Sequence, residues 1–232
     1  MDIYIESNLQ FPMATFVLQQ GETCRIERGS MIYRTAGVDL NAKLNAKGSG
    51  LGALVGAVAR SVVSNESMFI TEVVSQVPNG QIAIAPSLPG AIVQLDVGQY
   101  QYRINDSAFL AMESTVNYTM ERQNTGKAVF GGQGGFFVMT TEGYGRLLVN
   151  AYGSIKEIQL NNAQGFAIDN GHVVAWDRNL NYNIQLQSGL MGSIGTGEGL
   201  INVFSGTGKV YVQTLNLESF AGHLIPFLPS GK

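Results

Sequence analysis

The sequence predicts an all-β fold of three degenerate copies of one strand unit, a threefold pseudo-symmetric set of β-sheet repeats. Three observations predict it. Apolar and polar residues alternate along most of the chain, the alternation breaks at Gly, Asn-Gly or Pro, and one ordered set of landmarks returns three times. Alternation with period two marks strands with one buried face, and the breaks mark the turns between them.

Strands of this kind are Ile82-Ala83-Ile84, Tyr100-Gln101-Tyr102-Arg103-Ile104 and Val210-Tyr211-Val212. Asn79-Gly80 and Asn170-Gly171 are natural tight turns, because both residue types tolerate positive φ. The clearest landmark is a glycine, a long polar residue and an apolar-alternating strand. It occurs as Gly80-Gln81-Ile82-Ala83-Ile84, Gly145-Arg146-Leu147-Leu148-Val149 and Gly208-Lys209-Val210-Tyr211-Val212. Upstream of each lies a small-residue turn entering a strand: Glu66-Ser67-Met68-Phe69, Gly134-Gly135-Phe136-Phe137 and Glu198-Gly199-Leu200-Ile201.

The openings also correspond: Leu18 with Gly21, Leu95 with Gly98, and Ile168 with Gly171. A second strand follows as Met31-Ile32-Tyr33, Phe109-Leu110-Ala111-Met112 and Val173-Val174-Ala175-Trp176. A third follows as Val38-Asp39-Leu40, Val116-Asn117-Tyr118 and Tyr182-Asn183-Ile184. The copies run roughly from 11 to 86, 91 to 153 and 164 to 215, within a single domain of 1–232 that ends in an apolar tail. One copy presents a half-apolar sheet that cannot bury its inner face alone, so the three are expected to share a core.

The first copy carries an insertion of a different kind. Apolar residues recur at Leu54, Val55, Val58 and Val62, a helical spacing, in a segment rich in Gly and Ala. The expectation for 51–63 is a short helical insertion covering one end of the sheets. Docking of a partner or peripheral contact with a membrane surface is the alternative for this segment. At nine apolar or small residues ending in Arg60, Leu51–Ala59 is too short to span a bilayer.

Composition narrows the function classes. Hydrophobic residues make up 45% of the chain and charged residues only 13%, about half the usual share. So little solvated surface implies that part of it lies against another subunit or partner, and a homo-oligomer is expected. The net charge is −3. The densest basic stretch, Arg25, Arg28, Arg34, Lys43, Lys47 and Arg60, is interleaved with Glu22, Glu27 and Asp39. No continuous basic face results, so DNA binding is not expected. The single cysteine, Cys24, rules out an intramolecular disulfide and reads as a small buried hydrophobe. Met1-Asp2-Ile3-Tyr4-Ile5-Glu6 has neither a basic start nor a long apolar run, so the expected compartment is a reducing cytoplasm.

Several strings together resemble a known family. Ala85-Pro86-Ser87-Leu88-Pro89-Gly90, Tyr152-Gly153-Ser154-Ile155-Lys156-Glu157 and Asp169-Asn170-Gly171-His172-Val173-Val174-Ala175-Trp176 are three of them. With Gly197-Glu198-Gly199-Leu200 and Gly206-Thr207-Gly208-Lys209-Val210-Tyr211-Val212-Gln213-Thr214, they resemble the altered-inheritance-of-mitochondria family over nearly the whole chain. That family is largely uncharacterised. The resemblance implies a threefold pseudo-symmetric β fold related to the double-stranded β-helix and to the tryptophan RNA-binding attenuation protein. Its eukaryotic members look like mitochondrial inner-membrane organisation factors, and with no presequence evident a bacterial, cytoplasmic counterpart is expected here; the family supplies no catalytic residues. The Gly-Glu-Gly turn becomes Asn65-Glu66-Ser67 in the first copy and Gly132-Gln133-Gly134-Gly135 in the second.

No catalytic, cofactor-binding or metal-binding residues are assigned. The two histidines, His172 and His223, lie in a turn and in the tail, and a metal site would need a converging cluster with a carboxylate. Ser154 follows Gly153 without the nucleophile-elbow pattern. Gly131-Gly132-Gln133-Gly134-Gly135 leads into a strand, whereas a phosphate cradle leads into a helix. Glu66 and Glu198 occupy equivalent turns and read as carboxylates accepting backbone N–H groups. Trp176 reads as a core residue, and Leu224-Ile225-Pro226-Phe227-Leu228-Pro229 as too proline-broken for a helix or a central strand. The tail would pack across a neighbouring subunit or the protein's own surface. The overall expectation is a non-enzymatic scaffold protein that self-associates, with no cofactor. A small-ligand or RNA-binding module is the first alternative and an enzyme of unknown type the second.

Overall fold

A computed structural model describes residues 1–43, 70–123, 137–186 and 199–228. The 51–63 segment, the Gly131–Gly135 stretch, Glu66 and Glu198 lie outside the described residues. Within them the chain is mostly strand, arranged in three sheets.

The first sheet runs β1 (Asp2–Ile5), β2 (Ala14–Leu18), β7 (Gly80–Ile84), β4 (Met31–Arg34). The second runs β5 (Val38–Lys43), β6 (Ile70–Ser75), β3 (Thr23–Glu27), β10 (Phe109–Glu113), β13 (Gly145–Tyr152), β8 (Gly90–Val97). The third runs β11 (Val116–Arg122), β12 (Phe137–Gly143), β9 (Tyr102–Asn105), β15 (Val173–Asp177), β17 (Leu200–Gln213), β14 (Ile155–Asp169). A further strand, β16 (Asn181–Leu186), also pairs with β17. Every strand-to-strand pairing is antiparallel.

Two strands are unusually long, and each bends. In β14 the register slips after Leu160 and again after Gln164, where Asn162 (φ 50°) and Gly165 (φ 77°) adopt left-handed backbone. Opposite them Gly206 in β17 sits at φ 112°. Residues 155–160 of β14 pair with the last part of β17, and 166–169 pair with its beginning. One continuous pair of strands, β14 with β17, therefore serves two places in the sheet.

Three bulges fall at similar points. The register shifts between Met31 and Tyr33 in β4 against β7, between Phe109 and Ala111 in β10 against β13, and between Val173 and Ala175 in β15 against β17. An extra residue on one strand sharpens the twist, which lets each sheet curl over its neighbour.

The apolar residues of alternating strands meet in three layers. Phe16, Leu18, Ile26, Ile82, Ile84, Leu110 and Leu148 fill the space between the first and second sheets. Leu95, Ile104, Phe109, Met112, Leu147 and Tyr211 fill that between the second and third. Trp176, Leu180, Phe204 and Val210 form the last layer, with Val138 and Leu160. There Trp176 makes edge-to-face contacts with Tyr182 (4.8 Å) and Phe204 (5.7 Å). Cys24 is fully buried in the first layer, among the aliphatic side chains.

The C-terminal reading needs a correction. Leu224 closes an α-helix, α1 (Leu217–Leu224), and Ile225–Phe227 continue it as a 3-10 turn. Asn216 caps the helix, its side-chain oxygen accepting from the N–H groups of Glu218 (2.9 Å) and Ser219 (3.2 Å). Pro226 is tolerated because it stands in the first turn of the 3-10 segment, where an N–H has no intrahelical acceptor to lose. Leu217, Leu224, Ile225, Phe227 and Leu228 all face solvent. Phe220 lies edge to face with Tyr152 at 6.1 Å.

Trp176 is the largest fully buried side chain, so Trp176→Ala is expected to cost about 3–5 kcal/mol. Urea denaturation of the two proteins checks it, and a change under about 1 kcal/mol would contradict this packing.

Candidate functional site

Three polar side chains hold strands together at corresponding places. Beside the end of β4, the Thr35 hydroxyl oxygen accepts the Gln81 N–H at 2.9 Å. At the end of β10, Glu113 Oε2 accepts the Arg146 N–H at 2.8 Å. At the end of β15, Asp177 Oδ2 accepts the Lys209 N–H at 2.8 Å. Each donor directly follows a glycine, and there is no room for a side chain there. A Cβ would come within 2.8 Å of Val38 at Gly80, 3.2 Å of Val116 at Gly145 and 3.0 Å of Leu180 at Gly208.

The charged members add further bonds. Arg146 Nε and Nη2 both donate to Glu113 Oε1, at 2.9 and 2.6 Å, a two-point contact with fixed geometry. The Lys209 ammonium lies 2.9 Å from Glu157. Burial raises the Asp177 carboxyl above its usual range, against the opposing pull of the Lys209 amide and charge. Tyr102 and Tyr211 pack edge to face at 6.5 Å beside this group. Burial, with the nearby carboxylates, pushes the Tyr102 phenol up to about 12 and raises that of Tyr211 as well. Lys209 is also raised, chiefly by its bond to Glu157. These shifts move both phenols and the amine away from neutral pH, whereas acid–base catalysis favours groups poised near it.

The residues singled out in the sequence are dispersed. His172 stands in the 3-10 turn Asn170–His172, its Nδ1 2.8 Å from the Gln213 carbonyl. His223 is on the exposed helix α1. Among the described residues, no group of three or more His, Cys, Asp and Glu side chains is arranged to hold a metal. Burial, reinforced by Glu113, pushes the Cys24 thiol up to about 12, far from a reactive thiolate. The Ser154 N–H donates to Thr214 Oγ1 at 2.9 Å. Two arginines of the basic stretch serve carbonyls: Arg25 Nη1 donates to Val116 O at 2.9 Å, and Arg34 Nη1 donates to Val38 O. Arg103 does the same for Arg178 O (2.7 Å) and Leu180 O (3.3 Å), and its guanidinium lies 5.2 Å over the Tyr182 ring.

The candidate site is therefore a surface. Met31, Ile32 and Tyr33 on β4 are all exposed, as is Phe166 on β14. Met31-Ile32-Tyr33 was readable as a strand, but nothing in its composition says which strand of a repeat faces solvent. The apolar face of α1 adds a second exposed group. Among the described residues, no helix is long and apolar enough to cross a membrane.

Residues 3–215 match the family described as mitochondrial biogenesis AIM24. The chain belongs to that family. An uncharacterized protein of Streptococcus pyogenes serotype M6 is 56% identical over 230 residues, covering 99% of this chain and 92% of its own length. A Streptococcus pyogenes protein solved by X-ray crystallography is 52% identical with a TM-score of 0.84, over 98% of this chain and 99% of its own. The family resemblance expected from the sequence is thus shown, and the family member's bacterial relatives carry no assigned activity.

The anchors yield a first expectation here. Glu113→Ala and Asp177→Ala should each cost about 1–3 kcal/mol, by leaving a strand N–H without its acceptor, as measured by denaturant titration. Glu27 yields another, since burial pushes its carboxyl up to about 7. Its folded-state value lies above that of the unfolded chain, so its stabilising contribution is complete below the ordinary carboxylate range and is lost as pH rises toward 7. Glu27→Gln should melt like the parent at pH 4 and above it at pH 8. Equal melting shifts at both pH values would contradict the assignment.

Proposed function

We propose that this family member is a non-enzymatic structural protein that self-associates, built from three copies of one six-strand unit. Strand pairing supports the repeat. β2 pairs with β7, β7 with β4, β3 with β6 and β6 with β5. In the next run β8 pairs with β13, β13 with β10, β9 with β12 and β12 with β11. In the last, β14 and β17 each fill two places, and β15 and β16 take the remaining two. This reading starts the third unit at Ile155, earlier than the overlay of sequences suggests. The bond from Gln81, Arg146 and Lys209 to Thr35, Glu113 and Asp177 falls at the same point of each unit.

The observation that carries the functional reading is how polar and apolar groups are distributed. The part-buried Glu113 and Arg25 and the buried Asp177 are engaged in holding strands, while large apolar side chains of β4, β14 and α1 face solvent. A run of exposed apolar side chains such as Met31-Ile32-Tyr33 is what a docking face offers. A reducing, cytoplasmic setting suits the lone buried thiol of Cys24.

Size-exclusion chromatography with light scattering at micromolar concentration tests it. The expected mass is a multiple of the 24.9 kDa chain, and a strict monomer would overturn the reading. Native mass spectrometry of the same sample distinguishes the alternative, since a retained metabolite or RNA would favour a binding module.

A further inference from the structure

Two strand pairings of one kind form internal seams, one within the second sheet and one within the third. At the first, β10 pairs with β3: Ala111 opposite Ile26, Met112 opposite Arg25, Glu113 opposite Cys24. At the second, β15 pairs with β9: Ala175 opposite Ile104, Trp176 opposite Arg103, Asp177 opposite Tyr102. In both, the strand that carries the bulge meets the strand that precedes a 3-10 or tight turn. The bulged strand left over is β4, which pairs with β7 on one side and is the last strand of its sheet. The matching strand left over is the 166–169 part of β14, which among the described residues pairs only with β17.

Both free edges are uncovered where their counterparts are buried. Met31, Ile32 and Tyr33 are 41%, 51% and 42% exposed, whereas Phe109, Leu110 and Ala111 are at most 2% exposed. Phe166 is 41% exposed, against 0% for Cys24 and 6% for Tyr102. An uncovered, apolar strand edge is a template for another strand.

We infer that β4 of one chain pairs antiparallel with the 166–169 edge of β14 in a second copy of this chain, forming a third seam of the internal kind. This rests on the self-association reading and specifies its surface. The bulges set the register. Tyr33 holds the place of Ala111 and Ala175, and Ile168 the place of Ile26 and Ile104, so Tyr33 stands opposite Ile168. Arg34 then stands opposite Ala167, and Thr35 opposite Phe166.

The seam arginine supports that register. Each internal seam has one arginine at its centre, on the β3 or β9 side, opposite Met112 or Trp176. It donates to the carbonyl of the residue at the start of the following segment, Val116 or Leu180. On the β14 edge that position is Ala167, which has no donor. The arginine is instead on the facing strand: Arg34 donates to Val38 O, the equivalent carbonyl. One long side chain and one short one therefore face each other, as in a complementary cross-strand pair. Because the two edges differ, the contact is head-to-tail, and it propagates until the array closes into a ring or extends as a filament.

The test uses two full-length chains, Tyr33→Cys and Ile168→Cys, purified separately, mixed and mildly oxidised. Cys24 is buried and does not compete. The expected result is a covalent dimer joining residue 33 to residue 168 in the mixture. Pairing Tyr33→Cys with the off-register Phe166→Cys should link much less. A ladder of covalent multimers is expected from a chain carrying both substitutions. An oligomer by light scattering without the 33–168 link overturns this seam and leaves self-association standing. A monomer in light scattering overturns both. A 33–168 link formed within single chains of the doubly substituted protein, with none in the mixture, also overturns the second-copy seam.

Discussion

The fold depends on a short hydrogen bond between a strand N–H and a side chain two strands of sequence away. At Gln81, Arg146 and Lys209 the chain has just passed a glycine, and its next N–H is captured by Thr35, Glu113 or Asp177. The bond works because the glycine lacks a Cβ. With one, the backbone could not approach Val38, Val116 or Leu180 so closely. This contact fixes where a long strand crosses the bulged one and sets the register of everything that pairs with either. A buried N–H left unpaired there would cost more than the bond gains, so the constraint is steep in one direction.

From that constraint the layered core follows. Once register is fixed, alternate side chains of β7, β13 and β17 point inward together, and Ile82, Leu147 and Val210 are all buried. The sheets stack as successive layers, and the β3–β10 and β9–β15 seams lie inside the second and the third. What remains at the two ends is one uncovered edge of each seam type. Polarity is similarly economical: Arg25, Arg103 and Arg34 each serve a carbonyl at a junction, which satisfies the backbone where regular pairing stops.

Much of this was legible in the residues. The glycine, long polar residue and alternating strand at 80, 145 and 208 are the hydrogen-bonded anchors themselves, so the pattern recorded a backbone requirement. The run at Met31, Phe109 and Val173 marked the bulged strands. On the proposed repeat reading, the opening of the third copy was less legible, because Ile168 before Gly171 resembles the end of a first strand while its pairing to Asn202 matches a second. The bend at Asn162 and Gly165, which makes β14 two strands in one, has the look of an ordinary turn. Helix α1 was missed because Pro226 masked it, although Asn216 was a readable cap.

The sequence by itself determined the strand content and the family, since each is written in local residue types and their order. Only the tertiary structure decided which strands lie at an edge. Met31-Ile32-Tyr33 and Phe109-Leu110-Ala111 are equally apolar as strings, yet one faces solvent and the other is sealed. The difference is whether a partner strand lies alongside, and a partner strand is a property of the whole chain's path in space.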